Sequence, residues 1–216
     1  MVGICIELKT ECKHCGNPLM LNALVTDILC PSCNKINSFS IETWQGLLED
    51  SFEKIGEFKL GEGQPSKIFR GEYNYDLLYG RQEPRCRNCK QDIDVSKIGE
   101  YANQENVKCS KCSYDIYVRK VPENIAKELV GVKYLIGEDE DLISVHKTNG
   151  NLPDSVKPVL FTCPSCAGNL EIDGSSRMVI CKFCSSQIYL PDDLWFRLHP
   201  AKTAERWYMM CDEEFS

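Results

Sequence analysis

The sequence predicts a small α+β protein in which one module recurs three times. Twelve of its 14 cysteines fall into six C-x-x-C pairs, which form three sets with 14, 19 and 14 residues between the pairs of a set. Short stretches in which apolar and polar residues alternate lie around each set, as in small antiparallel ribbons. A stretch with apolar residues at helical spacing follows each set. These observations predict three metal-bound β-ribbon modules, each followed by a short helix and joined by β-rich connections.

The cysteine spacing indicates metal sites. Two thiolates on one tight turn can face a single ion, and two such turns complete a tetrahedron with metal–sulfur distances of about 2.3 Å. The opening residues, MVGICIELKTEC, lack the pattern of a signal peptide, so we expect a reducing, cytoplasmic setting in which disulfides are rare. A thioredoxin-like redox motif needs only one pair. We therefore expect three zinc ions per chain, bound by Cys12, Cys15, Cys30 and Cys33, by Cys86, Cys89, Cys109 and Cys112, and by Cys163, Cys166, Cys181 and Cys184.

Three stretches carry a resemblance to a known superfamily. They read CKHCGNP…LCPSCNK, CRNCKQD…KCSKCSYD and CPSCAGN…ICKFCSSQ, and they resemble the four-cysteine modules of the zinc-ribbon superfamily. The resemblance implies a zinc β-ribbon fold and a bound metal, and it implies almost nothing about activity. Iron-binding rubredoxins favour C-x-x-C-G, whereas here only the first pair is followed by glycine, Gly16. The other pairs are followed by Asn34, Lys90, Ser113, Ala167 and Ser185.

The repeat extends beyond the ligands. Alternating apolar residues after each first pair predict strands, at Leu19 and Leu21, Ile93 and Val95, and Leu170 and Ile172. An isoleucine also recurs three or four residues past each set, at Ile36, Ile116 and Ile188. Helices are predicted over 41–50, 121–130 and 190–198, because each stretch has helical apolar spacing with acidic residues or a proline near its start.

The connections between modules are predicted to be β-structure. In residues 68–79 the apolar side chains Phe69, Tyr73, Tyr75, Leu77 and Tyr79 alternate with polar ones, which predicts one strand packed inside a single body formed by all three modules. Residues 131–145 read as strand, acidic turn and strand. The predicted boundaries are 1–50 for the first module and helix, 51–83 for a β-rich connection, 84–130 for the second module and helix, 131–158 for an acidic β-hairpin connection, and 159–216 for the third module, helix and C-terminal tail.

Charge disfavours nucleic acid as the main partner. The formal net charge is −7, and each zinc bound by four thiolates adds about −2, so the loaded protein carries about −13. The middle module is the exception, since residues 84–120 hold eight basic and five acidic side chains. Nucleic-acid contact, if it occurs, is expected there, at Arg85, Arg87, Lys90, Lys108, Lys111, Arg119 and Lys120.

Nothing in the sequence indicates catalysis or membrane insertion. Four thiolates close a zinc site, whereas a catalytic zinc keeps an open position. His14, His146 and His199 are interpreted as surface or capping groups, and no phosphate loop, G-x-S-x-G or H-E-x-x-H motif occurs. Cys5 and Cys211 are left over as thiols that are not ligands. No run of 18 apolar residues is present.

These observations predict a non-enzymatic zinc protein that acts as an adaptor or scaffold in protein–protein interaction. The alternative is a nucleic-acid-binding accessory protein, linked to transcription or translation, that uses the basic middle module. A weaker alternative is a redox or metal sensor that uses the thiolates.

Overall fold

The computed structural model describes residues 1–147, 159–172, 176–191, 194 and 203–212. It confirms a small α+β chain made mostly of strands with a few short helices. The chain divides into two compact units, Met1–Lys147 with Thr203–Ser216, and Thr148–Lys202. The first two four-cysteine modules share the first unit, and the third module forms the second. The prediction that all three modules form one body is therefore wrong for the third.

The first unit contains most of the regular structure. In chain order its elements are β1 Val2–Glu11, β2 Pro18–Met20, β3 Asp27–Leu29, β4 Ile36–Ser38, α1 Ile41–Lys54, β5 Gly63–Arg70, β6 Tyr73–Arg81, α2 Ile98–Gln104, β7 Asn106–Lys108, β8 Asp115–Lys120, α3 Glu123–Ala126, β9 Val132–Ile136 and α4 Glu140–Lys147. The second unit contains β10 Val159–Thr162, β11 Asn169–Ile172, β12 Met178–Ile180 and β13 Gln187–Tyr189, and β14 Trp207–Cys211 returns to the first unit.

An eight-stranded antiparallel sheet organises the first unit. Its order is β5–β6–β1–β14–β9–β8–β7, with β2 paired to β1. Strand β14 thus lies at the centre, between β1 and β9, and all five of its side chains are buried. Its Trp207 indole donates a hydrogen bond to the Leu21 carbonyl, 3.0 Å away, and meets the Trp44 ring edge-on at 6.2 Å between centroids.

Helix α1 confirms the first predicted helix. Ser40 caps it by accepting a hydrogen bond from the Thr43 N–H. Trp44, Leu47 and Leu48 lie on one face of the helix and are fully buried in the core of the unit. The Trp44 indole donates to the Val25 carbonyl at 2.8 Å, which fixes the loop of the first module against the helix.

The aromatic stretch 68–79 is a hairpin rather than one strand. The chain turns at Gly71, which has φ +61°, between β5 and β6. Because the turn has two residues, Phe69 pairs with Asn74 and lies on the face opposite to Tyr73. Phe69 is accordingly 74% exposed. The rest of the predicted stripe is buried, at Tyr73, Tyr75, Leu77 and Tyr79.

Two more helices differ from the sequence prediction. The stretch after β9 was predicted as a second strand, but it is α4, where the Asp139 carboxylate accepts from the Asp141 N–H in the first turn. Helix α2 was not predicted. It lies in the longer gap of the second module and ends at Gln104, and the next residue, Glu105, has φ +59°. Within the second predicted helix, over 121–130, the helical part is α3, Glu123–Ala126. The third, over 190–198, lies largely outside the described residues.

A buried ion pair connects the first module to the sheet. The Glu138 side chain is fully buried and accepts from the Leu24 N–H at 2.7 Å and from Arg119 at 2.6 and 2.9 Å. Arg119 also donates to the Leu24 carbonyl at 3.0 Å. Burial alone would lower the pKa of Arg119, but its bonds to Glu138 raise that pKa and keep the guanidinium charged.

We predict that Glu138→Ala destabilises the first unit by about 3–5 kcal/mol, because it leaves the Arg119 charge buried without a partner. Asp115→Ala is the matched control: it breaks the exposed pair with Lys108 and should cost less than about 1 kcal/mol. Chemical denaturation of the metal-loaded variants measures both free energies of unfolding. Equal losses would contradict the prediction.

Candidate metal centres

All six C-x-x-C turns have the same backbone geometry. The residue after each second cysteine has a left-handed φ, +74° at Gly16 and +54° to +61° at Asn34, Lys90, Ser113, Ala167 and Ser185. In every turn the N–H of that residue donates to the carbonyl of the first cysteine, at 2.8–2.9 Å. The first cysteine's own N–H donates to the carbonyl two residues past the turn, also at 2.8–2.9 Å. The five non-glycine residues therefore adopt a conformation that costs roughly 1–2 kcal/mol each.

The turns bring the sulfurs together in three groups of four. Within each group all four Sγ atoms lie within 4.8 Å of one another. A tetrahedron with metal–sulfur bonds of 2.3 Å has edges of about 3.8 Å. The measured Sγ–Sγ contacts match this value: 3.7 and 3.8 Å in the first group, 3.6 and 3.5 Å in the second, and 3.8 and 3.7 Å in the third.

These distances confirm three tetra-cysteine groups positioned to bind metal ions, a donor set consistent with zinc. A disulfide would need about 2.05 Å between sulfurs, and all 14 cysteines are free thiols. Each group takes two sulfurs from each of two turns. The groups are Cys12, Cys15, Cys30 and Cys33; Cys86, Cys89, Cys109 and Cys112; and Cys163, Cys166, Cys181 and Cys184.

Hydrogen bonds stabilise the thiolate form of one cysteine in each group. The Cys12 sulfur accepts from the His14 N–H and from the Asn37 amide, each at 3.4 Å. Burial alone would raise the pKa of Cys12, but these bonds outweigh it and lower the pKa to about 6. Bonds from the Tyr114 N–H and the Asn88 side chain lower the pKa of Cys112 to about 6.

In the third group, bonds with the Ser186 hydroxyl and N–H lower the pKa of Cys184 to about 6. In each group these hydrogen bonds therefore favour the thiolate form of one cysteine, which is the form that binds a metal.

Asn37 is a supporting residue that sequence reasoning missed. It is fully buried, donates to the Cys12 sulfur and accepts from the Lys13 N–H at 3.1 Å. Counted from the second turn, Asn37 corresponds to the buried Ile116 and Ile188 of the other modules. Ile36 lies one position before the one that Ile116 and Ile188 occupy in their modules, and its side chain is 53% exposed.

The predicted basic contacts fall into different environments. Arg85, Arg87 and Lys90 line one cavity of about 560 Å³ together with Arg206. Glu7 and Glu205 line the same cavity and form ion pairs with Arg206 and Arg87. The remaining candidates are dispersed: Arg119 is bound to buried Glu138, Lys108 pairs with Asp115, and Lys111 and Lys120 are exposed.

The two cysteines outside the metal groups and the three histidines have separate environments. Cys5 and Cys211 are buried in β1 and β14; burial raises the pKa of Cys5, and burial with the charge of Asp212 raises that of Cys211 to about 12. His14 is exposed, and its Nε2 lies 3.1 Å from the Ile36 carbonyl oxygen. The His146 side chain and His199 lie outside the described residues.

Comparison with protein-family models, with curated proteins and with solved structures found no match to this chain. In the described part of the chain, no helix has the length and apolar character needed to cross a membrane.

We predict that Cys30→Ser unfolds the first module's metal site, whereas Cys5→Ser costs only about 1 kcal/mol. Cys30 is one of four ligands, and metal-binding energy is also folding energy, while Cys5 fills a small space in the core. Thermal unfolding and the metal-to-protein ratio of both variants test this. Equal losses of stability with equal metal content would refute the division into ligands and non-ligands.

A second prediction concerns the order of metal loss. Two ligands are exposed in the third group, Cys166 and Cys184, one in the first, Cys15, and none in the second. Because a chelator must reach the sulfur–metal bonds, we expect the third metal to leave several-fold faster than the first and the second to leave last. Release from the loaded protein can be followed with a coloured chelator, and Cys184→Ser should remove the fast phase. Simultaneous release of all three ions would contradict the prediction.

Proposed function

We propose that the chain is a non-enzymatic, cytoplasmic zinc protein whose three four-cysteine groups are zinc ribbons and whose surfaces bind another protein as an adaptor or scaffold. One observation carries the proposal: six backbone turns of identical geometry assemble three tetrahedral sulfur sets. Four thiolates per ion leave no open coordination position, so the metal would act as a structural element.

The zinc supplies folding free energy when bound, of the order of 10–16 kcal/mol for a structural site at neutral pH. This chain's residues hold it in place: the left-handed turns aim the sulfurs, and Asn37 and backbone N–H groups stabilise the thiolates. The second unit depends more strongly on this metal-binding free energy, because its buried apolar cluster is small. The cluster is built around Leu170, Ile172, Ile188 and Leu190.

The division into two units supports an adaptor role. In the first unit the central strand β14 connects the strands of both modules in one sheet. The third module lies in a second compact unit, which is inserted into the chain of the first. Two compact units on one chain suit simultaneous contact with different parts of a partner or with two partners.

A nucleic-acid-binding role is the second candidate. It is favoured by the cavity that gathers Arg85, Arg87, Lys90 and Arg206. It is disfavoured by Glu7 and Glu205 in the same cavity and by the net charge of −7. Nucleic-acid retention that falls steeply with salt, and less steeply in Arg85→Gln/Lys90→Gln, would favour this role over the adaptor.

We predict three zinc ions per chain by elemental analysis. Chemical cross-linking of the purified, zinc-loaded protein should also trap a protein partner at defined stoichiometry, and the complex should be lost when zinc is removed by a chelator and regained when zinc is restored. Fewer than two zinc ions, or mainly iron with the visible colour of a ferric thiolate, would overturn the metal assignment. A partner that binds the metal-free chain equally well would overturn the adaptor role of the ribbons.

A further inference from the structure

One buried side chain connects the two cysteine turns of the first module. Asn37 belongs to β4, which follows the second turn, and it is fully buried. Its Nδ2 donates to the Cys12 Sγ of the first turn at 3.4 Å and to the Lys35 carbonyl beside the second turn at 3.3 Å. Its Oδ1 accepts from the Lys13 N–H of the first turn at 3.1 Å. The two turns are therefore linked by an amide as well as by their shared set of sulfurs.

Packing alone does not require an asparagine at this position. The residue four places after the last cysteine is a buried isoleucine in the other two modules, Ile116 and Ile188. An apolar side chain therefore satisfies the ribbon fold there. Burying an amide is unfavourable unless its polar atoms are hydrogen-bonded, and the bonds of Asn37 go to the two turns and to a sulfur. The bond to Cys12 indicates a role toward the metal centre.

The third module could not form the same set of bonds. The residue after its first cysteine is Pro164, which has no N–H, where the first module has Lys13. Ile188→Asn would therefore leave the amide oxygen without the donor that Asn37 uses.

The second module places an amide on the opposite side of its sulfur group. The Asn88 side chain, from the first turn, bonds to the sulfur of Cys112 in the second turn. In the first module the amide comes from the second turn and reaches a sulfur of the first. Two of the three modules thus have a side-chain amide that reaches a sulfur of the opposite turn.

A hydrogen bond to the sulfur has two effects on a metal ligand. It stabilises the negative charge of the thiolate, and it fixes the direction in which the sulfur points. Residues that support ligands in this way typically change metal affinity by about 10- to 100-fold when they are replaced.

We propose that Asn37 is a positioning residue of the first metal centre. It holds the Cys12 sulfur in the orientation in which it binds the ion and keeps the two turns together, so this centre retains its ion more tightly than four cysteines alone would. The inference rests on the proposed zinc-binding function and concerns one of the three centres.

The test uses the full-length protein loaded with Co²⁺, whose charge-transfer absorption reports sulfur ligation. Asn37→Ile removes the amide and introduces the residue that the other two modules have. We expect the affinity of one ion to fall about 10- to 100-fold in competition with a chelator, while the other two ions keep theirs. The charge-transfer band of the affected centre should also move to longer wavelength, because the lost hydrogen bond no longer stabilises the sulfur electrons. Asn37→Ala should give the same changes without adding apolar volume.

Asn22→Leu is the matched control. Asn22 is another buried asparagine of the first unit, 2% exposed, but its amide bonds to backbone atoms. It donates to the Thr203 carbonyl at 3.0 Å and accepts from the Glu205 N–H at 2.9 Å. This variant should lower the stability of the unit to chemical denaturation, while the affinity and the absorption of all three ions stay unchanged.

The outcomes separate this inference from the proposed function. If both Asn37 variants hold three ions as tightly as the parent, with an unchanged absorption band, the role of Asn37 is refuted and the three metal centres stand. A loss of affinity without a shift of the band would show a role in stability alone and would also overturn the inference. A parent protein that binds fewer than two ions would instead overturn the metal assignment on which the inference rests.

Discussion

The first unit depends on the pairing of β14 with β1 and β9. Strand β14, Trp207–Cys211, pairs with β1 on one side and with β9 on the other. In the described residues it is the strand that connects the β5–β6–β1 part of the sheet to the β9–β8–β7 part. The first cysteine module extends from β1, and the second extends from β8. Without β14 these two modules would belong to separate small sheets, and neither would bury enough apolar area to be stable alone.

The cysteine turns use a different source of stability. Five of them place a non-glycine residue in a left-handed conformation, which is unfavourable for the isolated chain. The cost is local and recurs in each module, whereas the compensating metal–thiolate bonds form only when four sulfurs meet. Metal binding would therefore offset the conformational cost of the turns, and the same turn geometry positions N–H groups that donate to the sulfurs.

Local features were predictable from the sequence and non-local ones were not. The twelve cysteines of the C-x-x-C pairs form the three expected groups, because C-x-x-C turns are set by neighbouring residues. The buried stripe at Tyr73, Tyr75, Leu77 and Tyr79 followed from alternation, but the two-residue turn at Gly71 reversed the face of Phe69. Strand β14 could not be assigned to the sheet centre, since its partners β1 and β9 lie about 200 and about 75 residues away in sequence. Asn37 was missed because its role appears only when β4 lies beside Cys12.

The insertion of the second unit ahead of β14 has a consequence during synthesis. The 55 residues of that unit must leave the ribosome before β14 does, which takes roughly 3 to 11 seconds at 5–20 residues per second. Over that interval one edge of β1, with Ile4 and Ile6 beside it, has no strand to pair with. An unpaired apolar edge is a template for association with other chains. The inserted unit therefore lengthens the period in which the nascent protein can aggregate, and this period ends only when β14 enters the sheet.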